Sequence, residues 1–231
     1  MIPGLFTRLM HKLPSQCRVC HAWPGRIICD DCVARFAQPQ PRCQSCALAL
    51  PAGLAHCGDC LKNPPPLDRC LAAVSYGFPW AGLIQAFKFH ANPGLAQAWG
   101  VLLKSTPWVE PALEAADWVL PMPLSVQRLQ SRGFNQSLLL AQALAPAKTH
   151  PTLLLRIKNT PPQSSLPRHE RLTSLKDALA LDPLLASLVR AKRVVLVDDV
   201  MTSGASLFTA AQALRAAGAA HITGLVIART E

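Results

Sequence analysis

Aromatic residues are scarce, 6% of 231 with a single tyrosine, and they are not interleaved with basic residues as stacking platforms for nucleic-acid bases would be. Charged residues are also few at 16%, while half the chain is hydrophobic, which excludes an intrinsically disordered protein. No apolar run approaches the ~20 residues needed to cross a bilayer. The opening MIPGLFTRLMHKLP lacks an uninterrupted apolar core and a small-residue cleavage site, so no secretory leader is expected. Neither G-x-x-x-x-G-K-S/T nor G-x-G-x-x-G occurs, which removes P-loop and dinucleotide-binding readings. Repeats with a period of 20–50 residues are absent apart from the cysteine pairs described next. These absences lead us to expect a cytoplasmic protein without membrane insertion, long enough to bury a core unaided.

No cysteine follows Cys70, and eight of the nine form C-x-x-C pairs: Cys17/Cys20, Cys29/Cys32, Cys43/Cys46 and Cys57/Cys60. Without an export signal, disulfides are disfavoured. Two thiolates three residues apart hold one side of a tetrahedral metal and a second pair closes the other, so the pattern suits two structural zinc sites. Sequential pairing needs loops of eight residues (His21–Ile28) and ten (Ala47–His56), and an interleaved arrangement also satisfies the geometry. The stiff Gln38-Pro39-Gln40-Pro41 spacer favours the sequential form. His21 and His56 read as surface histidines, and Cys70 as a small buried hydrophobe. The run Pro64-Pro65-Pro66 ends this module, giving expected domains at 1–68 and 69–231.

Acidic residues are outnumbered, 13 against 23 Lys and Arg, a formal charge of +10. Two zinc sites of four thiolates would each carry −2 and lower this to about +6. The excess concentrates between Met122 and Lys176, where Arg128, Arg132, Lys148, Arg156, Lys158, Arg168, Arg171 and Lys176 face only Glu170. Such a segment favours a polyanion, either a phosphorylated metabolite or a nucleic-acid backbone.

The second domain reads as α/β. Apolar runs at Leu71–Tyr76, Trp118–Met122, Arg193–Val197 and Ile222–Ala228 suit buried strands. Helical stretches alternate with them at Trp80–Phe89, Leu95–Leu103, Asn135–Ala145 and Ser206–Ala217, which implies a mostly parallel sheet with helices on both faces. After Val194–Val197 come Asp198 and Asp199, then Thr202-Ser203-Gly204-Ala205-Ser206 opening a helix. In open α/β sheets, ligands bind beyond the carboxyl ends of strands. A small-residue turn at a helix N-terminus offers unpaired N–H groups and hydroxyls to a phosphate, and Gly204 lets the anion approach the backbone. Two carboxylates beside a phosphate need another purpose, which adjacent ribose hydroxyls supply. A 5′-phosphorylated ribose with a leaving group at C1 satisfies every element.

This segment resembles the phosphoribosyl pyrophosphate (PRPP) motif of type I phosphoribosyltransferases. Pro121-Met122-Pro123-Leu124, Arg128, Arg132-Gly133-Phe134-Asn135-Gln136, the stretch from Arg156 to Thr160, Gln163, Leu166 and Arg171 extend the likeness. Together with the cysteine pairs, the chain resembles the ComF/GntX family from about Cys17 to Arg229. The resemblance implies a type I phosphoribosyltransferase-like parallel sheet flanked by helices and preceded by a small double zinc ribbon. It places the 5′-phosphate on Thr202, Ser203, Gly204, Ala205 and Ser206, with Asp198 and Asp199 as catalytic residues on the ribose. Leu124, Arg128 and Arg132 would bind pyrophosphate, and Arg156, Gln163 and Arg171 would belong to a basic lid over Lys158–Lys176. Zinc and, with PRPP, magnesium are the implied cofactors. His169 and Glu170 read as solvent-exposed lid residues, so no general base for an acceptor is evident.

The family resemblance further implies a role in natural competence, with single-stranded DNA and a DNA-import helicase as partners. Alternative readings are a nucleic-acid-binding accessory protein or a non-catalytic PRPP sensor. The chain departs from the family at three places. Ser174 stands where Asn is frequent, Leu179 where an aromatic is frequent, and Thr-Ser-Gly-Ala-Ser replaces Thr-Thr-Gly-x-Thr while keeping the hydroxyls.

Overall fold

The computed structural model describes residues 15–89, 92–157 and 178–231. The chain divides into two compact units, residues 1–38 and 39–231.

In the smaller unit, Ser15 and Gly25 exchange two backbone hydrogen bonds of 2.8 Å around the first cysteine pair. His21, at a φ of 61°, turns the chain after Cys20, and Cys29 precedes helix α1, Asp30–Phe36. The larger unit opens with the same device. Cys43 and Cys46 are followed by Ala47 at a φ of 56°, and Cys57 precedes helix α2, Gly58–Lys62. Cys43, Cys46, Cys57 and Cys60 pack with Leu67, Cys70 and Leu120 in the main hydrophobic core. The second cysteine cluster is therefore part of the larger unit's interior.

The main sheet has four parallel strands in the order β1-β6-β5-β2, where β1 is Arg69–Ser75, β2 Trp118–Pro121, β5 Arg193–Met201 and β6 His221–Arg229. Short strands β3 (Leu154–Arg156) and β4 (Leu179–Leu181) form a separate antiparallel pair. Helices α3 (Trp80–Phe89), α4 (Leu95–Lys104), α5 (Val109–Ala115), α6 (Val126–Arg132), α7 (Gln136–Leu144) and α8 (Ala205–Ala216) complete the unit and flank the sheet. The strands read as continuous apolar runs because both faces are covered: Val194–Val197 are all buried, as are residues 222–229 of β6. Trp80 and Trp99 anchor α3 against α4, their rings edge to face at 5.9 Å.

Four strands and four helices fall where the apolar runs place them, within two residues except at one end. β5 continues past Val197 to Met201, because Asp198 and Val200 still pair with Val226 and Ala228 of β6. Ladder hydrogen bonds outweigh the low strand preference of aspartate. The segment after β2, which carries the Leu124, Arg128 and Arg132 of the implied pyrophosphate site, contains α6, capped where the Ser125 hydroxyl accepts from the Arg128 amide. Helix α5 was masked by Pro111, which lies in its first turn, where a missing N–H costs nothing.

Candidate functional site: a basic cavity at the strand ends

A cavity of about 690 Å³ opens beyond the carboxyl ends of β2 and β5. Asp198, Asp199, Thr202, Ser203, Gly204, Ala205, Ser206, Leu124, Arg128, Arg132 and Arg156 all line it. Residues more than 80 positions apart in sequence thus meet around one space. Gln163 and Arg171, expected in a lid, lie outside the described residues.

The loop between β5 and α8 is shaped by one glycine. Gly204 has a φ of 82°, and a Cβ there would sit 2.6 Å from both the Met201 Cε and the Phe208 ring. The Phe208 amide bonds to the Gly204 carbonyl at 2.8 Å, and the Ser203 hydroxyl reaches the Ala205 amide at 3.4 Å. Among the described residues, no protein group accepts from the amides of Ser203, Gly204, Ser206 or Leu207. Bare amides at the start of a twelve-residue helix, joined by three hydroxyls, form a cradle for an anion.

The two carboxyls are held differently. Asp199 is only 7% exposed; its Oδ1 takes the Lys88 ammonium at 2.9 Å and the Val200 amide at 2.6 Å. Asp198 is half-buried and accepts from the Ser137 hydroxyl at 3.0 Å and the Asp199 amide at 2.9 Å. Burial, followed by the neighbouring Asp199 charge, raises the Asp198 pKa to about 7. Lys88 and the hydrogen bonds counter this only in part. Near neutrality Asp198 therefore stands close to the middle of its titration, and its ionisation responds to any group that donates hydrogen bonds.

Three arginines supply the opposite sign. Burial lowers the pKa of Arg128 and Arg156; Arg132 adds to this at Arg128, and Arg128 adds to it at Arg156. Mutual repulsion across the cavity is relieved by an anion seated between them. Arg132 is aimed by Gln136 Oε1 at 3.1 Å and by the Phe89 ring, whose centroid lies 5.0 Å away. Gln136 is buried and also ties the Phe87 and Lys88 carbonyls at the end of α3. The basic segment 122–176 is not uniform in role. Lys148 caps α5 through the Leu113 and Glu114 carbonyls at 2.9 and 2.7 Å.

Lys88, Ser137 and Arg229 are functional neighbours that sequence reasoning missed. Lys88 lies outside the basic segment, and Phe87–Phe89 reads as the end of an amphipathic helix. Ser137 follows the Asn135 cap, whose side chain accepts from the Ser137 and Leu138 amides at 2.9 and 3.3 Å. Arg229 is buried at the end of β6 and donates to the Cys46 carbonyl at 2.9 Å, the Thr202 carbonyl at 2.6 Å and the Met201 carbonyl at 3.3 Å. It physically joins the second cysteine cluster to the anion cradle. Nothing in the pattern of β6 distinguishes an arginine entering solvent from one turned inward.

The cysteines fall into two groups, Cys17/Cys20/Cys29/Cys32 and Cys43/Cys46/Cys57/Cys60, with all sulfurs in each group within 4.8 Å of one another. This is the sequential pairing. Zinc–sulfur bonds of ~2.3 Å place tetrahedral sulfurs about 3.8 Å apart. The pairs Cys17–Cys32, Cys20–Cys29 and Cys46–Cys57 are separated by 3.8, 3.6 and 3.7 Å. Amide donors also reach the thiols, from Cys29 to Cys17 Sγ at 3.5 Å and from Cys57 to Cys43 Sγ at 3.3 Å. Both donor sets fit a closed four-thiolate metal site, with the outer hydrogen bonds such sites use.

Residues 135–230 match the family model for the phosphoribosyl transferase domain. The chain is 32% identical over 237 residues to the DNA utilization protein YhgH of Escherichia coli K12, across 96% of this chain and 100% of that one. It is 32% identical to Competence protein F of Haemophilus influenzae over 87% of this chain and 90% of the relative. With Competence protein ComFC of Bacillus subtilis it shares 34% identity over 76% of this chain and 73% of the relative. A phosphoribosyltransferase-type domain, two four-cysteine clusters before its sheet and likeness to YhgH and Competence protein F over 87% or more of this chain make it a member of the ComF/GntX family.

Proposed function

We propose that the cavity binds PRPP with magnesium, and that the protein serves DNA handling in natural competence from the cytoplasm. The observation that carries this reading is the union, in one 690 Å³ space, of an unpartnered amide cradle, a carboxyl doublet and three arginines. In this reading the Thr202–Ser206 loop holds the 5′-phosphate through its amides and hydroxyls. Asp198 and Asp199 accept hydrogen bonds from the ribose diol, and Arg128, Arg132 and Leu124 border the pyrophosphate, with Arg156 closing that side. Functionally, residues 1–68 carry structural zinc and residues 69–231 carry the ligand.

Magnesium brought with PRPP would offset the pyrophosphate charge, and Asp198 and Asp199, the carboxyls among the described lining residues, would hold a cation that keeps its waters. The chain's own contribution to glycosyl transfer is electrostatic. The Asp198–Asp199 doublet stabilises positive charge on the sugar as the C1–oxygen bond to pyrophosphate breaks, while the arginines hold the departing anion. Lys88, 2.9 Å from Asp199 Oδ1, holds that carboxyl in place during the step.

Among the described lining residues there is no histidine or glutamate to act as a general base for an acceptor. This favours a second reading, a PRPP sensor that binds without turnover. Calorimetric titration of the full chain with PRPP and magnesium tests the central reading. Saturable one-site binding that Asp199→Ala abolishes is the expected outcome, and no heat at millimolar ligand refutes it. Pyrophosphate release on addition of nucleobases, nucleosides or single-stranded DNA separates transferase from sensor. The names of the relatives, DNA utilization and competence proteins, support a role in DNA handling, while a DNA-import helicase as partner rests on the family resemblance alone.

A further inference from the structure

We propose that the opposite end of the sheet carries a second site, which takes one base of a single-stranded nucleic acid with its flanking phosphates. A pocket of about 220 Å³ lies there, between the amino ends of the strands and helix α5. Its floor is Arg69, Arg193, His221 and Thr223, and its wall is Trp108, Pro111, Ala112 and Ala115. It stands apart from the PRPP cavity, with which it shares no lining residue.

Trp108 is 60% exposed, and the Arg69 guanidinium lies 4.9 Å from its ring centroid. A cation on one face fixes the indole and leaves its remaining surface to solvent, which is the arrangement of a stacking platform. Backbone strain accompanies this placement. Trp108 adopts a φ of 72°, a left-handed conformation that bulky residues rarely take. Scarcity of aromatics along the chain argued against a long stacking groove, yet a single platform needs only one.

Charge complements the ring. Arg69 and Arg193 begin β1 and β5, two strands on either side of β6, and Arg69 is level with Val195, two residues beyond Arg193, so their Cα atoms stand about 12 Å apart. Among the described residues, no carboxylate lines the pocket. The nearby acids are engaged elsewhere: Asp68 pairs with Arg215 and faces His221 at 3.7 Å, and Asp117 bonds Lys192 at 3.1 Å and the Arg193 amide at 2.8 Å. Glu110 and Glu114 fall on the other side of α5 from Pro111, Ala112 and Ala115, the residues that line the pocket. Burial lowers the His221 pKa, which leaves an uncharged ring able to hydrogen-bond a base edge. The proposal rests on the DNA-handling half of the reading above and is independent of PRPP.

The test is fluorescence anisotropy of labelled dT oligonucleotides on the zinc-loaded full chain, across a salt series. Trp108→Ala is expected to weaken binding about tenfold, and Trp108→Phe to restore most of it. Arg69→Gln with Arg193→Gln should reduce the salt slope by about 1.4. All variants should keep wild-type affinity for PRPP and wild-type melting. Oligonucleotide binding that Trp108→Ala leaves unchanged overturns this site while sparing the DNA-handling reading; no binding to the wild type at low salt overturns both. Equal displacement of the oligonucleotide by polyglutamate in wild type and Trp108→Ala shows charge alone at work and also overturns the site. So does binding of dTMP without binding of the strand.

Discussion

Replacing Gly204 with alanine puts the anion cradle to a quantitative test. At a φ of 82°, a non-glycine residue costs ~1–2 kcal/mol. The new Cβ lies 2.6 Å from Met201 Cε and 2.6 and 2.7 Å from two carbons of the Phe208 ring, so both must move. Overpacking of this kind costs ~1–3 kcal/mol. The methionine terminus is pliable and Phe208 is half-buried, which favours the lower part of that range. The sum is about 2–4 kcal/mol. For a chain of this size, each kcal/mol moves the Tm by ~2–4 °C, so a fall of about 5–15 °C is expected by scanning calorimetry. Displacing the loop should also weaken PRPP binding by about tenfold or more, equivalent to ~1.4 kcal/mol or more. An unchanged Tm refutes the loop conformation. A lowered Tm with unchanged PRPP affinity refutes its role as the phosphate cradle.

Four further outcomes are expected. Asp198, with its pKa raised to about 7, should make PRPP affinity rise between pH 6 and 8, because ribose hydroxyls prefer the ionised form; Asp198→Asn should flatten that titration curve. The ligand-free protein should show the opposite slope: the raised pKa gives stability that is full below about pH 4 and lost as pH rises through about 7, measurable by denaturant melts. Arg229→Met strands the Cys46, Met201 and Thr202 carbonyls and should cost about 3 kcal/mol, with weaker PRPP binding although Arg229 does not line the cavity. Elemental analysis should find two zinc ions per chain; Cys57→Ser should lower the Tm of the larger unit far more than Cys29→Ser, because only the second cluster packs in that unit's core.

Much of the candidate site was legible because its chemistry is local. Asp198 through Ser206 sit on one strand–loop–helix passage, where apolar run, acid pair, glycine and hydroxyls each carry their own physical signature. Arg128, Arg132 and Arg156 were visible as charge, and the cysteine pairing in the stiff Gln38-Pro39-Gln40-Pro41 spacer between the second and third pairs. Long-range partners were not legible. Lys88 reaches Asp199 from a helix more than 100 residues earlier, and Arg229 turns into the interior because the Cys46, Met201 and Thr202 carbonyls meet there. Such meetings arise from packing, which no local pattern encodes. The same reason hid the second cysteine cluster's place in the core: the triple proline marks a change of composition, while Cys43 and Cys46 pack beneath Cys70 and Leu67.

Phosphorus NMR of PRPP titrated with the full chain in magnesium reports each phosphate separately. The account predicts that the 5′-phosphate and both pyrophosphate resonances shift together on binding, and that ribose 5-phosphate alone competes for the loop. Movement of the pyrophosphate signals with a stationary 5′-phosphate contradicts it.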